Sequence, residues 1–507
     1  MDIGSYLEQN ARKHGDKLAI ECDGRTYTYK QFNEEVNRLA HGLLQLGIKK
    51  GEKLALMMKN SDRFVMTFFA GTKIGAVMVP VNFRLTASEV NYILAQSGTR
   101  TVFCDEEFES VISDAKEGTE IKEVIVAGNP EAEEHFAYQE MRSETTGNPS
   151  VQVNEEDDLE ILYTSGTTGR PKGALFDHRR IFNVGLTMMV GLGLNEEERF
   201  LHIAPLFHSA QLNLFLLSGV VLGATHIIHK DFHPVRTLEA IQQHGITTFF
   251  GVPAMYNFLL QVPKAGEYDL STIKRCGYGA APMAPEIVRK SMKLFQTDQF
   301  YNLCGLTEAG PGGILLTPEG HKNHLGKGGK AIFLTEARVV NEEGKDVEPF
   351  TVGEFIIKGE TIMKEYYQKP EETSQALKDG WLYTGDLATI DGEGYITLVD
   401  RKKDMIISGG ENVYSIEVEE VLYEHPDIME AAIIGLPDET WGEAVSAVIV
   451  PKEGSVIDDQ EIRSFCRQKL AGYKVPRKFF IEEALPRNAS GKILKYQLRQ
   501  SLNKVKQ

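Results

Sequence analysis

Short apolar runs alternate with longer amphipathic stretches over much of the first 330 residues. A short apolar run is typical of a buried strand, and apolar residues spaced three or four apart are typical of a helix. The predicted strands are 54–58, 77–81, 101–104, 202–207, 225–229 and 247–253, and the predicted helices between them are 63–73, 87–96, 209–221 and 236–244. This rhythm predicts parallel-type sheets with helices on their faces.

The pattern changes after about residue 330 to short alternating strands, such as 337–340 and 354–358, separated by Gly and Asp. These predict a small β-barrel-like subdomain. A turn at 391–394 closes a hairpin that ends at Asp400, and a charged cluster follows it. We therefore predict an α/β domain over 1–399 and a small, mobile α+β lid domain over 400–507. The predicted lid elements are helices 415–423 and 459–470 and strands 431–437, 445–450 and 478–484.

Composition narrows the function classes. The chain has 507 residues, 42% hydrophobic and 25% charged, with a net charge of -17, which is typical of a globular protein whose main ligand is not nucleic acid. Residues 451–507 are instead basic, with 13 Lys+Arg against 6 Asp+Glu. That end is a candidate for weak contact with a membrane surface, and solvated lysines on a terminal helix are the equal alternative.

Cysteine usage and the first residues indicate the compartment. The five cysteines are widely spaced, odd in number and without a Cys-x-x-Cys pair, so neither a disulfide framework nor a zinc ribbon is expected. The start of the chain, MDIGSYLEQN, does not read as a secretory signal. We expect a cytoplasmic protein.

The segment 163–173, YTSGTTGRPKG, has the composition of a phosphate-binding loop. Its hydroxyls can donate hydrogen bonds, its glycines let backbone N–H groups turn toward an anion, and Lys172 adds a positive charge. The spacing differs from the ordinary P-loop because Lys172 follows Arg-Pro and precedes Gly173. A flexible surface loop is the alternative. The residues expected to bind phosphate are Thr164, Ser165, Gly166, Thr167, Thr168, Gly169 and Lys172.

Further segments follow that loop in a recognisable order. They are PLFHSA (205–210), GAAPM (279–283), NLCGLTEAG (302–310), YTGDL (383–387), DRKKDMIISGGENV (400–413) and LPRNASGKIL (485–494). Together with 163–173 they resemble the AMP-forming acyl-adenylating enzymes through nearly the whole chain, and most closely the stand-alone fatty acyl-CoA and aryl-CoA synthetases. The resemblance implies a two-step reaction in which a carboxylate first forms an acyl-adenylate from ATP. Coenzyme A then displaces AMP.

The same resemblance implies roles for the nucleotide-binding residues. The Thr307 hydroxyl would meet the α-phosphate, and the Glu308 carboxylate would hold the Mg²⁺ that accompanies ATP. Asp386 would accept hydrogen bonds from the ribose hydroxyls, and Arg401 would reach the nucleotide. The GAAPM segment contributes Gly279, Ala280 and Ala281 to the nucleotide site.

The lid domain would supply the remaining chemistry. Lys492 would bridge the carboxylate and the α-phosphate as negative charge builds there, so it is the expected catalytic residue of the first step. Asp400 resembles the hinge about which the lid turns between the two steps. The segment with Gly409, Gly410 and Asn412 would then face coenzyme A, although a simple tight turn is the alternative for the paired glycines. Family members often have Arg where Lys495 stands, and no role for Lys495 is inferred.

Three residues are expected in the acyl pocket: Phe207, His208 and Gly279. One departure from the family pattern lies nearby, because Cys304 stands where many members have a Tyr that packs on adenine. Tyr301 is a candidate to compensate for that loss.

The favoured substrate is a medium- or long-chain fatty acid, since the candidate acyl segments are apolar and contain no obvious charged specificity residue. An aromatic acid is the close alternative. A non-catalytic adenylate-binding protein is the alternative from another class, and a luciferase-like oxygenase is disfavoured by the glycine segment at 409–410. The expected ligands are ATP with Mg²⁺, coenzyme A and a carboxylic acid, for a monomer or homodimer.

Overall fold

The computed structural model describes residues 1–164, 170–487 and 492–504. The strands are β1 (Leu18–Cys22), β2 (Arg25–Thr28), β3 (Lys53–Met57), β4 (Val77–Pro80), β5 (Thr101–Cys104), β6 (Glu123–Val126), β7 (Phe136–Ala137), β8 (Asp158–Thr164), β9 (Lys172–Asp177), β10 (Arg199–His202), β11 (Thr225–Ile228), β12 (Thr248–Gly251), β13 (Arg275–Gly279), β14 (Phe300–Gly305), β15 (Gly313–Leu316), β16 (Lys330–Ala331), β17 (Thr335–Val340), β18 (Gly353–Gly359), β19 (Glu365–Tyr366), β20 (Leu377–Lys378), β21 (Trp381–Ile390), β22 (Ile396–Arg401), β23 (Ile406–Ser408), β24 (Glu411–Val413), β25 (Ile428–Asp438), β26 (Gly442–Pro451) and β27 (Lys478–Ile481).

The helices are α1 (Ile3–Lys13), α2 (Tyr29–Gln45), α3 (Asp62–Lys73), α4 (Ala87–Ser97), α5 (Glu109–Ala115), α6 (His178–Leu192), α7 (Ser218–Leu222), α8 (Pro234–His244), α9 (Pro253–Leu260), α10 (Pro285–Phe295), α11 (Pro318–His324), α12 (Pro370–Ala376), α13 (Ser415–Tyr423), α14 (Asp459–Arg467) and α15 (Lys495–Lys504). A π-helix, Ala210–Leu217, precedes α7. Short 3₁₀ helices cover Glu106–Phe108, Tyr138–Met141, Ala265–Glu267 and Thr307–Ala309. In the described residues, none of the helices is long and apolar enough to cross a membrane.

Two large sheets form the body of the molecule. The first has eight strands in the order β19-β9-β8-β4-β3-β5-β6-β7, and the second has nine in the order β16-β15-β14-β13-β12-β10-β11-β1-β2. The strands at the centre of each sheet are parallel. In the first sheet β3 pairs with β4 and β5, and in the second β10 pairs with β11 and β12. Antiparallel pairs join at the margins, including β8 with β9 and β14 with β15. Helices complete the layers, which confirms the predicted parallel-type architecture.

Helix α3 lies in the layer between these sheets. Apart from Arg63, every residue of α3 is buried, including Phe64, Phe68 and Phe69. Because α3 is buried on every side, it is an internal helix. The Ser61 side chain starts it by accepting a hydrogen bond from the Phe64 N–H at 3.1 Å.

Two smaller sheets follow in the chain. An antiparallel sheet of five strands, β17-β18-β21-β20 with β22 beside β21, corresponds to the predicted barrel-like subdomain. A second sheet of five strands contains β24-β23-β26-β25 with β27 beside β26, so all of its strands come after Asp400. Helix α13 runs over Ser415–Tyr423 as predicted, and the other predicted elements of this region differ only at their ends.

The sequence-based prediction fails around residues 202–221. Strand β10 covers Arg199–His202 rather than the predicted 202–207, because the Asn60 side chain binds the backbone groups beyond His202. Its amide donates to the Ala204 carbonyl at 2.8 Å, and its carbonyl accepts from the Leu206 N–H at 2.7 Å. The predicted helix that follows is divided between the π-helix and α7.

Candidate active site

The predicted phosphate loop connects β8 to β9. Thr164 ends β8 opposite Lys172, which begins β9, and the Thr164 hydroxyl donates to the Lys172 carbonyl at 3.3 Å. Residues Ser165, Gly166, Thr167, Thr168 and Gly169 lie outside the described residues. Gly173 lies within β9, where a Cβ atom would approach the Ile161 side chain to 2.5 Å. Close packing between the two strands therefore accounts for Gly173.

Lys172, Tyr366 and Glu308 lie together, and we call these three residues the phosphate end. The Lys172 ammonium lies 4.3 Å from the centre of the Tyr366 ring. The Tyr366 hydroxyl donates to Glu308 Oε1 at 2.7 Å. Lys172 and Glu308 were predicted from the sequence, whereas Tyr366 lies outside all of the segments that carried the resemblance.

Thr307 begins a short 3₁₀ helix at the end of β14. Its hydroxyl lies 3.3 Å from that of Ser209, a buried residue just before the π-helix. The residue predicted to meet the α-phosphate is thus connected to the PLFHSA segment. Ser209 was not singled out from the sequence, because a serine in a mixed apolar segment carries no distinctive signal.

Asp386, Arg401 and Lys492 form the second cluster, which we call the lid end. Antiparallel pairing of β21 with β22 places Asp386 directly opposite Arg401, and Arg401 Nε lies 3.1 Å from Asp386 Oδ1. An open cavity of about 330 Å³ lies here, lined by Thr384, Gly385, Arg401, Lys402 and Lys403. Asp386 follows Gly385 directly on β21, so the predicted ribose-binding carboxylate belongs to the same strand as part of this lining.

Lys492 lies within the electrostatic reach of the same cluster. Burial, together with the positive charges of Arg401 and Lys403, lowers the pKa of Lys492 to about 8, although Asp386 and Asp404 partly oppose the change. The structure therefore brings together the lid lysine and the predicted ribose-binding carboxylate.

The GAAPM segment follows β13 directly. A Cβ atom on Gly279 would lie 2.2 Å from the Leu303 carbonyl oxygen, so the close approach of β14 requires glycine at this position. Ala280 has φ of 65°, a left-handed conformation that is uncommon for a residue with a side chain. Such strained residues are often found where backbone groups must face a ligand. Ala281 follows in the same turn and is half-buried.

Asp400, the predicted hinge residue, is buried, and three hydrogen bonds hold its carboxylate. Its carboxylate accepts hydrogen bonds from the Arg401 N–H at 2.7 Å, the Ser415 N–H at 2.6 Å and the Ser415 hydroxyl at 3.0 Å. Burial raises the pKa of Asp400, although these donors partly offset the effect. Lys495 also donates to the Ser415 hydroxyl and forms an ion pair with Glu419 at 2.7 Å. Lys495 thus connects the helix after Lys492 to Ser415, the hydrogen-bond partner of the predicted hinge residue.

The predicted coenzyme A segment forms a hairpin between β23 and β24. Gly409 and Gly410 are its two turn residues, with φ of 64° and 86°, as expected for a tight turn that favours glycine. A Cβ atom on Gly409 would come within 2.9 Å of the Trp441 ring, whereas nothing lies within 4 Å of one on Gly410. Asn412 is exposed on β24. The Arg477 guanidinium covers the Trp441 ring at 4.0 Å, and neither residue was noted from the sequence.

A narrow apolar cavity opens beside β14 and β15. It has a volume of about 10 Å³, no more than one water needs. Its lining residues are Thr187, Met188, Leu192, Leu214, Leu303, Cys304, Pro311, Gly312, Gly313, Ile314, Leu315 and Ile332. Of the three predicted acyl-pocket residues, Gly279 contacts the lining through Leu303, whereas Phe207 and His208 are not among the lining residues.

Those two residues pack elsewhere. The Phe207 ring meets that of Phe83 edge-on at 5.2 Å. Burial lowers the pKa of His208 to about 4, so its imidazole is neutral near pH 7, and Nδ1 accepts from the Ala210 N–H at 3.3 Å. His208 therefore caps the start of the π-helix in this structure.

Cys304 links the apolar cavity to the lid end. Burial and the negative charge of Asp386 raise the pKa of its thiol to about 12, while Lys492 acts in the opposite direction. A thiol with this pKa is not a nucleophile near neutral pH. Tyr301, the candidate to compensate for the missing aromatic side chain, is buried in an apolar cluster with Leu214, Phe250 and Leu315.

The Glu308 carboxylate fits the Mg²⁺ that family members bind with ATP. Within the described part of the chain, its one hydrogen bond is the donation from Tyr366 to Oε1, and it forms no ion pair. Oε2 therefore remains as an oxygen ligand of the kind that Mg²⁺ prefers. We conclude that the residue type and its surroundings are suitable for the ion.

Comparison with protein families gives two matches. The model of the AMP-binding enzyme family matches residues 7–367, and the model of the AMP-binding enzyme C-terminal domain matches residues 417–492. The first matched range contains the phosphate end and the second contains Lys492, whereas Asp386 and Arg401 lie between the two ranges.

Among curated proteins, the chain is 38% identical to a feruloyl-CoA synthase from Amycolatopsis sp over 501 residues, covering 98% of each chain. It is 37% identical to the long-chain-fatty-acid–CoA ligase FadD13 of Mycobacterium tuberculosis over 477 residues, covering 93% of this chain and 92% of the relative.

Solved structures give the same result. The anthranilate CoA ligase AuaEII in complex with anthranoyl-AMP matches with a TM-score of 0.92 at 26% identity, covering 100% of this chain and 98% of the other. The Mycobacterium tuberculosis fatty acyl CoA synthetase matches with a TM-score of 0.79 at 35% identity over 99% of each chain. The similar proteins thus include enzymes named for aromatic acids and enzymes named for fatty acids.

Proposed function

The chain belongs to the AMP-binding enzyme family and is an ATP-dependent acyl- or aryl-CoA ligase, and we propose that its substrate is a medium- or long-chain fatty acid. The observation that carries this proposal is the aliphatic lining of the cavity beside β14 and β15. We also propose that residues 1–399 bind ATP and the acid, and that 400–507 form a lid that turns about Asp400.

In the first step, a carboxylate oxygen of the acid attacks the α-phosphorus of ATP and pyrophosphate leaves. Lys172 would hold the departing phosphates, and Thr307 would donate to the α-phosphate. Bound at Glu308, Mg²⁺ would neutralise charge on the ATP phosphates. The Asp386 carboxylate would accept from the ribose hydroxyls and so fix the nucleotide against β21.

Lys492 would complete this arrangement from the lid. Its ammonium would contact both the carboxylate and the α-phosphate, where negative charge increases as the new bond forms. The neighbouring cations Arg401 and Lys403 add to the positive potential at this point. Because that stabilisation grows toward the transition state, Lys492 would increase the rate more than it increases ground-state binding.

In the second step, the thiol sulfur of coenzyme A attacks the acyl carbon and AMP leaves. We propose that the lid turns about Asp400 to withdraw Lys492 and present the Gly409-Gly410 hairpin. The absence of side chains at its tip leaves room for a thin pantetheine arm, and Asn412 lies on the strand beside it. One lid would thus serve both steps.

The character of the apolar cavity favours a fatty acid over a phenolic acid. Aliphatic side chains dominate its lining, including Met188, Leu192 and Leu315. A phenolic hydroxyl would need a polar partner when buried. The Thr187 hydroxyl is already bonded to the Val184 carbonyl at 2.7 Å. With a volume of about 10 Å³, the cavity must widen by side-chain movement, which the flexible Met188 facilitates.

An aryl acid is the second candidate substrate, and the feruloyl-CoA synthase similarity is the observation that favours it. A non-catalytic adenylate-binding protein is a weaker alternative, because Lys172, Glu308, Asp386 and Lys492 are all retained.

The test is coenzyme A-dependent release of AMP across a panel of carboxylates from acetate to palmitate, with benzoates and cinnamates included. We expect the highest kcat/KM for acids with a long apolar chain. A preference for cinnamates over all fatty acids would assign the aryl substrate instead, and AMP release with none of the acids would contradict the fatty-acid and aryl-acid proposals alike.

A further inference from the structure

Tyr366 contacts both charged side chains of the phosphate end, and none of the steps above assigns it a role. We propose that Tyr366 is a positioning residue that keeps Lys172 and Glu308 close together but unpaired, so that each meets its own part of Mg²⁺-ATP. This inference rests on the proposed roles of Lys172 and Glu308.

The charges themselves provide the first argument. A lysine and a glutamate that share a site commonly form a direct ion pair, which would direct the lysine donors and the carboxylate oxygens at each other. In the part of the chain that the structure describes, neither Lys172 nor Glu308 takes part in an ion pair. The neutral Tyr366 side chain contacts both of them instead, with the ammonium at its ring and the carboxylate at its hydroxyl.

The two contacts differ in kind, and each suits its ligand. At the ring face, attraction to the π-system holds the ammonium without using its N–H donors, which remain for phosphate oxygens. At the hydroxyl, the hydrogen bond uses one carboxylate oxygen and orients the other, which remains for the cation.

The backbone around Tyr366 is anchored to both partners. Strand β19 pairs Tyr366 with Ala174 on β9, which begins at Lys172, and the Tyr367 N–H donates to the Gly173 carbonyl at 2.7 Å. On the other side, the Met363 N–H donates to the Glu308 carbonyl at 2.8 Å. The segment 363–367 therefore joins the two parts of the chain whose side chains Tyr366 separates.

Two substitutions separate the two contacts. Tyr366→Phe removes the hydroxyl and keeps the ring, whereas Tyr366→Leu removes both. Tyr29→Phe is the matched control, because it also deletes the hydroxyl of a buried tyrosine. The Tyr29 hydroxyl lies away from the site and donates to the Ala224 backbone carbonyl at 2.6 Å. Each full-length variant is assayed for ATP–pyrophosphate exchange with an accepted carboxylate. Binding of a non-cleavable ATP analogue is measured by calorimetry over a Mg²⁺ series.

For Tyr366→Phe, we expect the Mg²⁺ concentration for half-maximal analogue binding to rise about tenfold or more, as the loss of one hydrogen bond to a charged group implies. The KM for pyrophosphate should stay within about twofold of the parent, since the Lys172 contact with the ring is kept. Tyr366→Leu should additionally raise the KM for pyrophosphate about threefold to tenfold. Tyr29→Phe should change neither quantity, whatever its effect on the melting temperature.

An unchanged Mg²⁺ dependence in Tyr366→Phe would overturn the inference, as would equal effects of Tyr366→Phe and Tyr366→Leu on pyrophosphate. If Tyr366→Leu does not fold, the Phe variant and its control still decide the Mg²⁺ part. If no carboxylate supports exchange in the parent protein, the ligase proposal fails. Calorimetry with the ATP analogue still tests Tyr366 in that case.

Discussion

The two ends of the active site hold their charged side chains in contrasting ways. At the phosphate end, Tyr366 separates Lys172 from Glu308, and neither forms an ion pair with another described residue. At the lid end, Asp386 pairs with Arg401, and the nearby cations and carboxylates oppose one another in setting the pKa of Lys492. Unpaired charges suit a ligand that brings its own charges, whereas a balanced cluster suits the proposed movement of Lys492 into and out of the site.

Removing the charge of Glu308 should cause the largest loss at the phosphate end. Glu308→Gln keeps the size of the side chain and an oxygen that can accept from Tyr366, but it loses the anionic ligand for Mg²⁺. We expect kcat/KM for acyl-adenylate formation to fall about 100-fold or more, as is common when an electrostatic contact to the transition state is removed. ATP–pyrophosphate exchange measures this. Glu319→Gln, on the exposed face of α11, is the control.

Asp386→Asn should cause a smaller loss at the lid end, mainly in nucleotide binding. The amide keeps one acceptor for the ribose but loses the charge that pairs with Arg401. We expect the KM for ATP to rise about tenfold with a smaller change in kcat, the cost of one charge-assisted hydrogen bond. Asp346→Asn is the matched control, since Asp346 pairs with Arg338 at 2.6 Å in the same sheet. Equal effects of the two substitutions would show that Asp386 acts only on stability.

The pH dependence of acyl-adenylate formation should test the role of Lys492 at the lid end. The Lys492 ammonium is present below its pKa of about 8, so kcat/KM for acyl-adenylate formation should decline as the pH rises through about 8. Lys403→Met removes a neighbouring positive charge and should move that alkaline limb to higher pH. Asp404→Asn removes a negative charge and should move it to lower pH. Movement in the same direction in both variants would contradict the assignment of the limb to Lys492.

The smallest effect on activity should come from Glu160, which lies outside both ends in the core. Burial raises its pKa to about 8, and Asn213 donates to its Oε1 at 2.7 Å. Glu160 Oε2 and Asn213 Oδ1 have no described partner, and a proton on Oε2 would satisfy both. The folded protein thus retains a proton that the unfolded chain releases at lower pH.

Stability of the parent protein should therefore decrease as the pH rises from the unfolded pKa of 4.5 to about 8, and change little from this group outside that window. Glu160→Gln should remove this contribution, because an amide can donate to Asn213 at every pH. Urea unfolding at pH 5 and at pH 8 measures the difference. A steeper loss of stability with pH in the variant than in the parent would contradict a protonated Glu160.

Sequence patterns predicted the sheets and the charged site residues better than the contacts among them. Strand β5 and helix α13 match their predicted bounds, because buried strands and amphipathic helices leave local patterns. Strand β10 lies at Arg199–His202 rather than at the predicted 202–207, because the side chain of Asn60, which is distant in the sequence, binds the backbone groups beyond His202. A contact between residues far apart in the sequence leaves no local pattern.

The same reason explains the missed site residues. Tyr366 joins Lys172 to Glu308 only after β19 has paired with β9. Lys495 could be given no role from the sequence, because its partner Glu419 lies on another helix. The motifs supplied Lys172, Glu308, Asp386 and Lys492 through their resemblance to a family. The lining of the apolar cavity beside β14 and β15 could not be predicted from the sequence, since it comes from several separate elements.

The central claim is that Lys492 acts in the first step alone, and Lys492→Ala measured in both half-reactions tests it most directly. The first half-reaction is ATP–pyrophosphate exchange, and the second is conversion of supplied acyl-adenylate to acyl-CoA. Lys322→Ala, an exposed lysine on α11, is the control. We expect exchange to fall about 100-fold to 1,000-fold, with thioester formation within about threefold of the parent. Exchange at the parent rate, or an equal loss in both half-reactions, would contradict the account.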